Sequence, residues 1–182
     1  MKIAVLAAFA LALGSAASVK IPEDSPDGLL VASLDRLDAH YGNFTLIATH
    51  VPHEPVPTPP TKRSARLQRR ALPLPISDTG CSDDNYVDPV HFVVSRQKLI
   101  DECERGTQIG KRSVLAYKIG SSTAYACSYG GRNPCSTDEI DVAFRRIDED
   151  CGSPIKAGWV LMDDWAKSYG REIVTAEICG GI

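Results

Sequence analysis

Two stretches of the chain repeat apolar residues at the spacing of a helix. The stronger one follows Ser136 and puts five residues on one face: Ile140, Ala143, Phe144, Ile147 and Cys151. Steps of three and four positions match the 3.6-residue turn of a helix. Ser136 and Glu139 have capping-box spacing, in which each side chain satisfies a backbone N–H of the other residue. The pattern predicts a helix over Thr137–Cys151.

A second helix is predicted to start at Asp88 and Pro89, because aspartate caps a helix and proline fits its first turn. Apolar residues recur along one face of this helix as far as Cys103, and Gly106 can end it. Alternating apolar and polar positions predict four strands, over residues 113–119, 123–129, 158–162 and 171–178. The order is helix, two strands, helix, two strands. It predicts an α+β fold, a small disulfide-stapled antiparallel sheet with two helices packed on one face.

The N-terminus, residues 1–18, has the pattern of a signal peptide. Lys2 precedes an apolar run over residues 3–13, and small residues follow it. The run is shorter than the ~20 residues that span a bilayer as a helix. We therefore expect a secreted, extracellular protein with no membrane span.

Residues 19–70 are predicted to form a propeptide, since all six cysteines follow them. The second half is rich in proline, which favours extended, solvated backbone, and it ends in a basic run. Arg69 and Arg70 resemble the dibasic sites cut by kexin-type proteases, and Lys62-Arg63 is a possible earlier site. The first half has enough apolar residues for a short helix and a strand. It is expected either to shield the mature domain or to assist its folding.

The expected mature domain, residues 71–182, is acidic. It holds 12 lysines and arginines against 17 aspartates and glutamates, a formal net charge of −5. Nucleic-acid binding rests on concentrated positive charge, so no nucleic-acid partner is expected. The glycosylation sequon at Asn43 would leave with the propeptide.

The six cysteines are expected to form disulfides in an exported protein: Cys81, Cys103, Cys127, Cys135, Cys151 and Cys179. Many pairings are open to six cysteines. Only Cys135–Cys151 is excluded, because the intervening helix would be ~21 Å long. Cys81–Cys103 is disfavoured.

The sequence contains no specific catalytic pattern, and we assign no catalytic residue, metal ligand or cofactor. His91 is the only histidine in residues 71–182, and a surface or packing role is the default for it. With Asp88, Glu102 or Glu104 it could in principle supply an acid and a base. The acidic groups around Asp138 are explained by the dipole at a helix start and by solvent exposure.

Five residues are the best candidates for a recognition surface: Arg132, Asn133, Trp165, Tyr169 and Arg171. Arginine and aromatic residues are enriched among the residues that carry binding energy. The first two lie in a loop, residues 130–135, whose glycines, proline and cysteine would hold it rigid. Such a loop could also imitate the substrate of a protease.

This architecture resembles that of fungal small secreted cysteine-rich proteins, many of which are effectors released by kexin cleavage. The helix and sheet order is also similar to that of killer-toxin-like α/β sandwich effectors. The resemblance implies a virulence-associated effector that binds an unknown host protein outside the cell. The alternatives are a toxin-like antimicrobial protein that binds a competitor's protein, a small secreted ribonuclease or hydrolase, and an inhibitor of host proteases.

Overall fold

A seven-stranded antiparallel sheet forms the centre of the molecule. The computed structural model describes residues 18–35, 44–49, 73–152 and 155–180. The strands are β1 Val19–Lys20, β2 Gly28–Ser33, β3 Thr45–Thr49, β4 Asp78–Tyr86, β5 Gln108–Ile109, β6 Ser113–Ile119, β7 Ser122–Ser128, β8 Asn133–Pro134, β9 Lys156–Met162, β10 Lys167–Ile173 and β11 Glu177–Ile178. The large sheet has the order β3-β2-β6-β7-β10-β9-β4, and β1-β11 and β5-β8 form two small pairs.

The two helices, α1 Pro89–Glu104 and α2 Thr137–Cys151, lie where the apolar periodicity predicts them. The Asp88 carboxylate accepts from the N–H of His91 at 2.9 Å, and Ser136 Oγ accepts from the N–H of Glu139 at 3.2 Å. Both predicted caps are therefore present, and the α+β prediction is confirmed. The second half of the capping box differs, because the Glu139 carboxylate instead accepts hydrogen bonds from β10.

The last long strand begins and ends earlier than predicted. It was expected over residues 171–178, whereas β10 covers Lys167–Ile173. A single 3₁₀ turn, Asp163–Trp165, joins it to β9, and Ala166 closes that turn with a φ of 46°. The start of β10 shows no alternation of apolar and polar residues, because Lys167 and Tyr169 are polar and yet are buried against Glu139 of α2.

One face of the sheet, here called the helix face, is covered by α1 and α2. Its core combines apolar residues of both helices with side chains from the sheet. Leu99, Ile140 and Ile147 are fully buried there, against Val160 and Met162 of β9. The helical spacing assigns Ile140 and Ile147 to the core. In α1 the prediction was partly wrong, because Val90 and Val93, expected on the apolar face of the helix, are 72% and 61% exposed.

The opposite face, here called the terminal face, is covered by the two ends of the described chain. Val19, Ile21 and Leu30 pack there with Ile178 and with Tyr125 of β7. Tyr125, Cys127 and Tyr129 share this face, as the two-residue period predicts. The predicted propeptide thus supplies three strands and part of the core, and its apolar stretch forms strand β2 where a short helix was expected.

Three disulfides join the six cysteines, as Cys81–Cys151, Cys103–Cys135 and Cys127–Cys179. The pairing avoids Cys135–Cys151, which the length of the helix excludes, and Cys81–Cys103, which was disfavoured. The first links β4 to the end of α2, the second links the end of α1 to the start of α2, and the third links β7 to the C-terminal segment. Among the described residues, no helix is long and apolar enough to cross a membrane.

Several predicted features fall outside the described residues. They are the signal peptide up to residue 17, the sequon asparagine Asn43, and the dibasic pairs Lys62-Arg63 and Arg69-Arg70. Their predictions stand on the sequence alone.

Candidate functional site

The five predicted recognition residues do not form one surface. Arg132 is exposed, Asn133 is partly exposed, and Trp165, in the turn before β10, is 39% exposed. Tyr169 and Arg171 are buried under α2, with Arg171 only 1% exposed. The structure therefore divides the set into an exposed end and a buried row.

The exposed end is held together by Asn133. Its amide nitrogen donates to Ser128 Oγ at 2.9 Å and to the carbonyl of Trp165 at 3.2 Å. The Lys167 ammonium lies 5.5 Å from the centroid of the Trp165 ring. The 130–135 loop is thus fixed to the turn before β10, which keeps Arg132 and Trp165 on a common surface.

The buried row consists of alternate residues of β10 that face α2. Lys167 Nζ donates to Glu139 Oε2 at 2.7 Å, and the hydroxyl of Tyr169 donates to the same oxygen at 2.8 Å. Burial, followed by the charge of Glu139, raises the pKa of Tyr169 well above its usual value. Glu139 was expected to be a solvated acid. It is instead the acceptor that satisfies two buried donors, and so it ties α2 to the sheet.

Arg171 continues this row into a groove between α1 and α2. The groove has a volume of about 550 Å³. Its lining combines aromatic, aliphatic and charged side chains: Phe92, Val93, Arg96, Asp141, Phe144, Arg145, Asp148, Gly152, Ile155 and Arg171. The groove lies between the two helices, and Arg171 lines it from the side of the sheet.

Two arginines of the groove stack on two phenylalanines. The guanidinium of Arg171 lies 5.2 Å from the centroid of the Phe92 ring, and that of Arg96 lies 5.8 Å from Phe144. The two rings contact each other edge to face, with centroids 5.2 Å apart. Stacking of this kind fixes a planar cation in position. The donors of both arginines are therefore preorganised.

Each of these arginines keeps a buried donor without a partner. Arg96 Nη2 donates to Asp141 at 2.7 Å, and Arg171 donates through Nη1 to Asp148 and through Nε to a backbone carbonyl. Arg96 Nε and Arg171 Nη2 are buried and have no hydrogen-bond partner. Buried polar groups are nearly always satisfied, so these two N–H groups are available to donate to a water molecule or to an acceptor oxygen of a ligand.

The groove carries more positive than negative charge. Its lining has three arginines, the third being the exposed Arg145, against the two aspartates Asp141 and Asp148. The predicted mature domain as a whole is acidic, with a formal net charge of −5 over residues 71–182. A carboxylate is therefore better accommodated here than on the surrounding surface.

Sequence reasoning selected Arg171 but missed Phe92, Val93 and Arg96. A signal was present, since Phe92 and Arg96 are four positions apart on α1 and share one side of it. The repetition of Asp141, Arg145 and Asp148 on α2 marks the facing side. What the sequence does not show is that these two sides meet.

The arrangement around His91 does not form a catalytic triad. Its Nδ1 atom lies 3.7 Å from Asp88 Oδ1 and 3.4 Å from Ser121 Oγ. A relay needs the carboxylate on one ring nitrogen and the nucleophile on the other. The Asp88 carboxylate caps α1, and its hydrogen bond from the backbone of His91 lowers the pKa of Asp88.

The other acids considered with His91 have structural partners. Glu102 accepts from the Arg105 guanidinium and from the Thr107 hydroxyl, and Glu104 accepts from Thr137 Oγ1. Within the described ranges, no group of three or more histidines, cysteines, aspartates or glutamates is placed to hold a metal ion.

The chain matches no protein-family model, no curated protein and no solved structure. What the groove can bind therefore follows from its own atoms.

Proposed function

We propose that the protein is a secreted effector of fungal type, which acts outside the cell by binding an acidic segment of a host protein. The binding site is the groove between α1 and α2. The ligand places a carboxylate on Arg96 and Arg171 and an apolar side chain against Phe92 and Val93. The activity is binding, with no chemical step.

The observation that carries this proposal is the unpartnered Nη2 of Arg171. The side chain is almost fully buried, and its Nη1 and Nε already donate to the Asp148 carboxylate and to the backbone carbonyl of Lys156. Leaving a buried donor unsatisfied costs roughly 1–3 kcal/mol. A ligand carboxylate that accepts from Nη2 recovers that cost on binding.

An acidic peptide fits the groove better than a nucleic acid does. The surface outside the groove carries excess negative charge, which opposes a long phosphate backbone. The apolar lining of Phe92, Val93 and Ile155 also gives a peptide side chain a place to be buried. Mixed apolar and charged grooves are typical of peptide recognition.

Val93 and Val90 offer a matched pair of substitutions on α1. Both are exposed, at 61% and 72%, but only Val93 lines the groove. Val93→Asp places a negative charge where the ligand's apolar side chain would pack, in the same groove as the ligand carboxylate, and so repels it, whereas Val93→Lys adds attraction. Val90→Asp makes the same chemical change away from the groove.

The binding test uses a fluorescein-labelled peptide in which glutamate alternates with leucine, and a neutral peptide with glutamine in place of glutamate. We expect the secreted wild-type protein to bind the acidic peptide more tightly than the neutral one. Val93→Asp should weaken binding by about tenfold or more, and Val90→Asp should leave it unchanged. Equal binding of both peptides, or equal loss in both aspartate variants, contradicts the groove assignment.

The biological test applies the same proteins to plant leaf tissue and to cultures of bacteria and fungi. A leaf response that Val93→Asp removes and Val90→Asp keeps supports the effector proposal. Growth inhibition without a leaf response favours the antimicrobial alternative. If the wild type cleaves RNA, protein or glycan and His91→Ala does not, the proposed binding activity would have to be replaced by a hydrolytic one.

A further inference from the structure

We propose that the N-terminal segment, residues 18–35 and 44–49 of the described chain, stays bound after the predicted cleavage. The protein then works as two chains held together without a covalent bond. This inference rests on cleavage at Arg69-Arg70 or Lys62-Arg63, and it is independent of what the groove binds. The site involved is the long docking surface that residues 73–180 offer to β1 and β2.

The main contact is a strand inside the sheet. β2 pairs with β6 along its whole length, from Gly28 opposite Lys118 to Ser33 opposite Ser113. On its other side it pairs with β3. If the segment left, β6 would become an open edge seven residues long, a form of edge that promotes aggregation. The backbone pairing thus binds the segment continuously.

The segment also contributes to both cores. Leu29 of β2 packs into the core of the helix face, while Leu30 and Ala32 pack into that of the terminal face. Val19 and Ile21 cover the terminal face further along, and both are buried. A propeptide that leaves after cleavage would be expected to lie on a surface that is already stable without it. This segment instead supplies apolar side chains to both cores.

A buried charge on the large fragment depends on the segment. Lys118 is only 5% exposed, and its ammonium donates to Asp27 Oδ1 at 2.9 Å. The same oxygen accepts from the N–H of Gly120 at 2.9 Å. The partly exposed Asp27 is thus the acceptor that the segment supplies to both donors. Departure of the segment would therefore remove an ion pair and a backbone hydrogen bond from the part that remains.

The C-terminal segment adds a second contact. Val19 pairs with Ile178 in the small β1-β11 sheet, and the N–H of Thr175 donates to the carbonyl of Ile21 at 3.0 Å. Cys127–Cys179 anchors the C-terminal segment to β7. The disulfide of the large fragment thus holds in place the strand onto which β1 docks.

The predicted cuts leave all of these contacts intact. Both dibasic pairs lie between β3, which ends at Thr49, and β4, which begins at Asp78. Residues 18–70 contain no cysteine, so no disulfide can join the two fragments. Only hydrogen bonds, apolar contacts and ion pairs would hold the cleaved complex.

The test uses the secreted full chain, cut with a purified kexin-type protease and checked by N-terminal sequencing. We expect the N-terminal fragment and the Ala71 fragment to elute together, in equal amounts, on native size-exclusion chromatography. In urea without reductant they should separate. Separation in native buffer, or resistance to the protease at both dibasic pairs, overturns the proposal.

Asp27→Asn and Asp24→Asn make the same change in one segment. Asp27 accepts from buried Lys118, whereas Asp24 is exposed. We expect the Asp27→Asn fragment to be released at a clearly lower urea concentration than wild type, and the Asp24→Asn fragment at the wild-type concentration. Equal release of both variants would show that the contacts described do not hold the cleaved segment.

Discussion

The two faces of the sheet are covered in different ways. On the helix face, α1 and α2 come from the part of the chain after the dibasic pairs, and Cys81–Cys151 and Cys103–Cys135 fasten them to each other and to β4. On the terminal face, the cover comes from opposite ends of the chain and a single disulfide, Cys127–Cys179. The cover of the helix face thus comes from residues after the dibasic pairs, although Leu29 of β2 also packs into its core. The terminal face is complete only when the N-terminal segment is present.

The largest effect is expected from making residues 71–182 alone. Without β2, the edge of β6 and the terminal face are uncovered, and Lys118 loses Asp27. We expect a protein that aggregates or lacks fixed tertiary structure. The measurements are a weak near-ultraviolet circular dichroism signal and strong binding of a hydrophobic dye. The matched control is the full chain cut by protease after folding. A monomeric fragment with the near-ultraviolet spectrum of that complex would contradict the difference between the faces.

The second largest effect is expected from removing a single disulfide, either the one of the terminal face or one of the helix face. Cys127→Ala with Cys179→Ala, or Cys81→Ala with Cys151→Ala, should each lower the free energy of unfolding by about 2–5 kcal/mol. Only the first pair should also make the N-terminal fragment leave the cleaved complex at lower urea. Urea unfolding and chromatography measure the two effects. Early release in both variants would mean that the faces are not independent.

A smaller effect is expected where α2 meets β10. Glu139→Gln removes the charge that Lys167 and Tyr169 donate to and should cost about 1–3 kcal/mol. Its neighbour Asp138 is exposed, so Asp138→Asn should change the free energy of unfolding by less than about 0.5 kcal/mol. Urea unfolding compares the two. Since both positions lie in the first turn of α2, an equal loss would assign the effect to the helix dipole.

The smallest effect is a pH dependence that belongs to the terminal face. Burial raises the pKa of Glu172 above its usual 4.5. The folded protein therefore binds this proton more tightly than the unfolded chain, and stability falls as the pH rises between the two pKa values. Glu172→Gln should flatten that decline.

Melting temperatures from about pH 4 to about pH 7 measure the difference between Glu172→Gln and wild type. Glutamine keeps the oxygen that accepts from Asn85. Glu149→Gln, at an exposed position of α2, is the control and should leave the profile unchanged. A wild-type profile in the Glu172→Gln variant would show that the buried carboxyl does not titrate in this range.

The sequence predicts what local physics determines. The bounds of α2 follow from the spacing of Ile140 and Ile147 and from the cap at Ser136, all within a few turns of one helix. The start of β10 was missed because Lys167, Tyr169 and Arg171 read as polar surface. Their burial depends on Glu139 and Asp148, about 20 to 30 positions earlier, which no local pattern shows.

The role of the N-terminal segment was missed for the same reason. The apolar run at Leu29 and Leu30 fits a helix or a strand equally well over so short a length. What makes it a strand is the edge of β6, which the chain forms more than 80 positions later. The groove likewise forms where one side of α1 meets one side of α2. The sequence of each helix shows which of its own residues are neighbours, but it does not show that the two sides meet.

The pairing of β1 with β11 joins two parts of the chain that are synthesised at different times. Ser18 donates to Glu177, a residue 159 positions later in the chain. Translation reaches that partner long after Ser18, so the terminal face closes only once residue 178 has been synthesised. While the chain is intact, β1 and β2 reach their positions by closing a loop, whose entropic cost grows slowly with length. Once cut, they would have to find the same positions as a separate, diluted molecule. If the predicted cleavage occurs, we therefore expect it to follow folding, since cleavage of the nascent chain would separate β1 and β2 from the strands that they pair with.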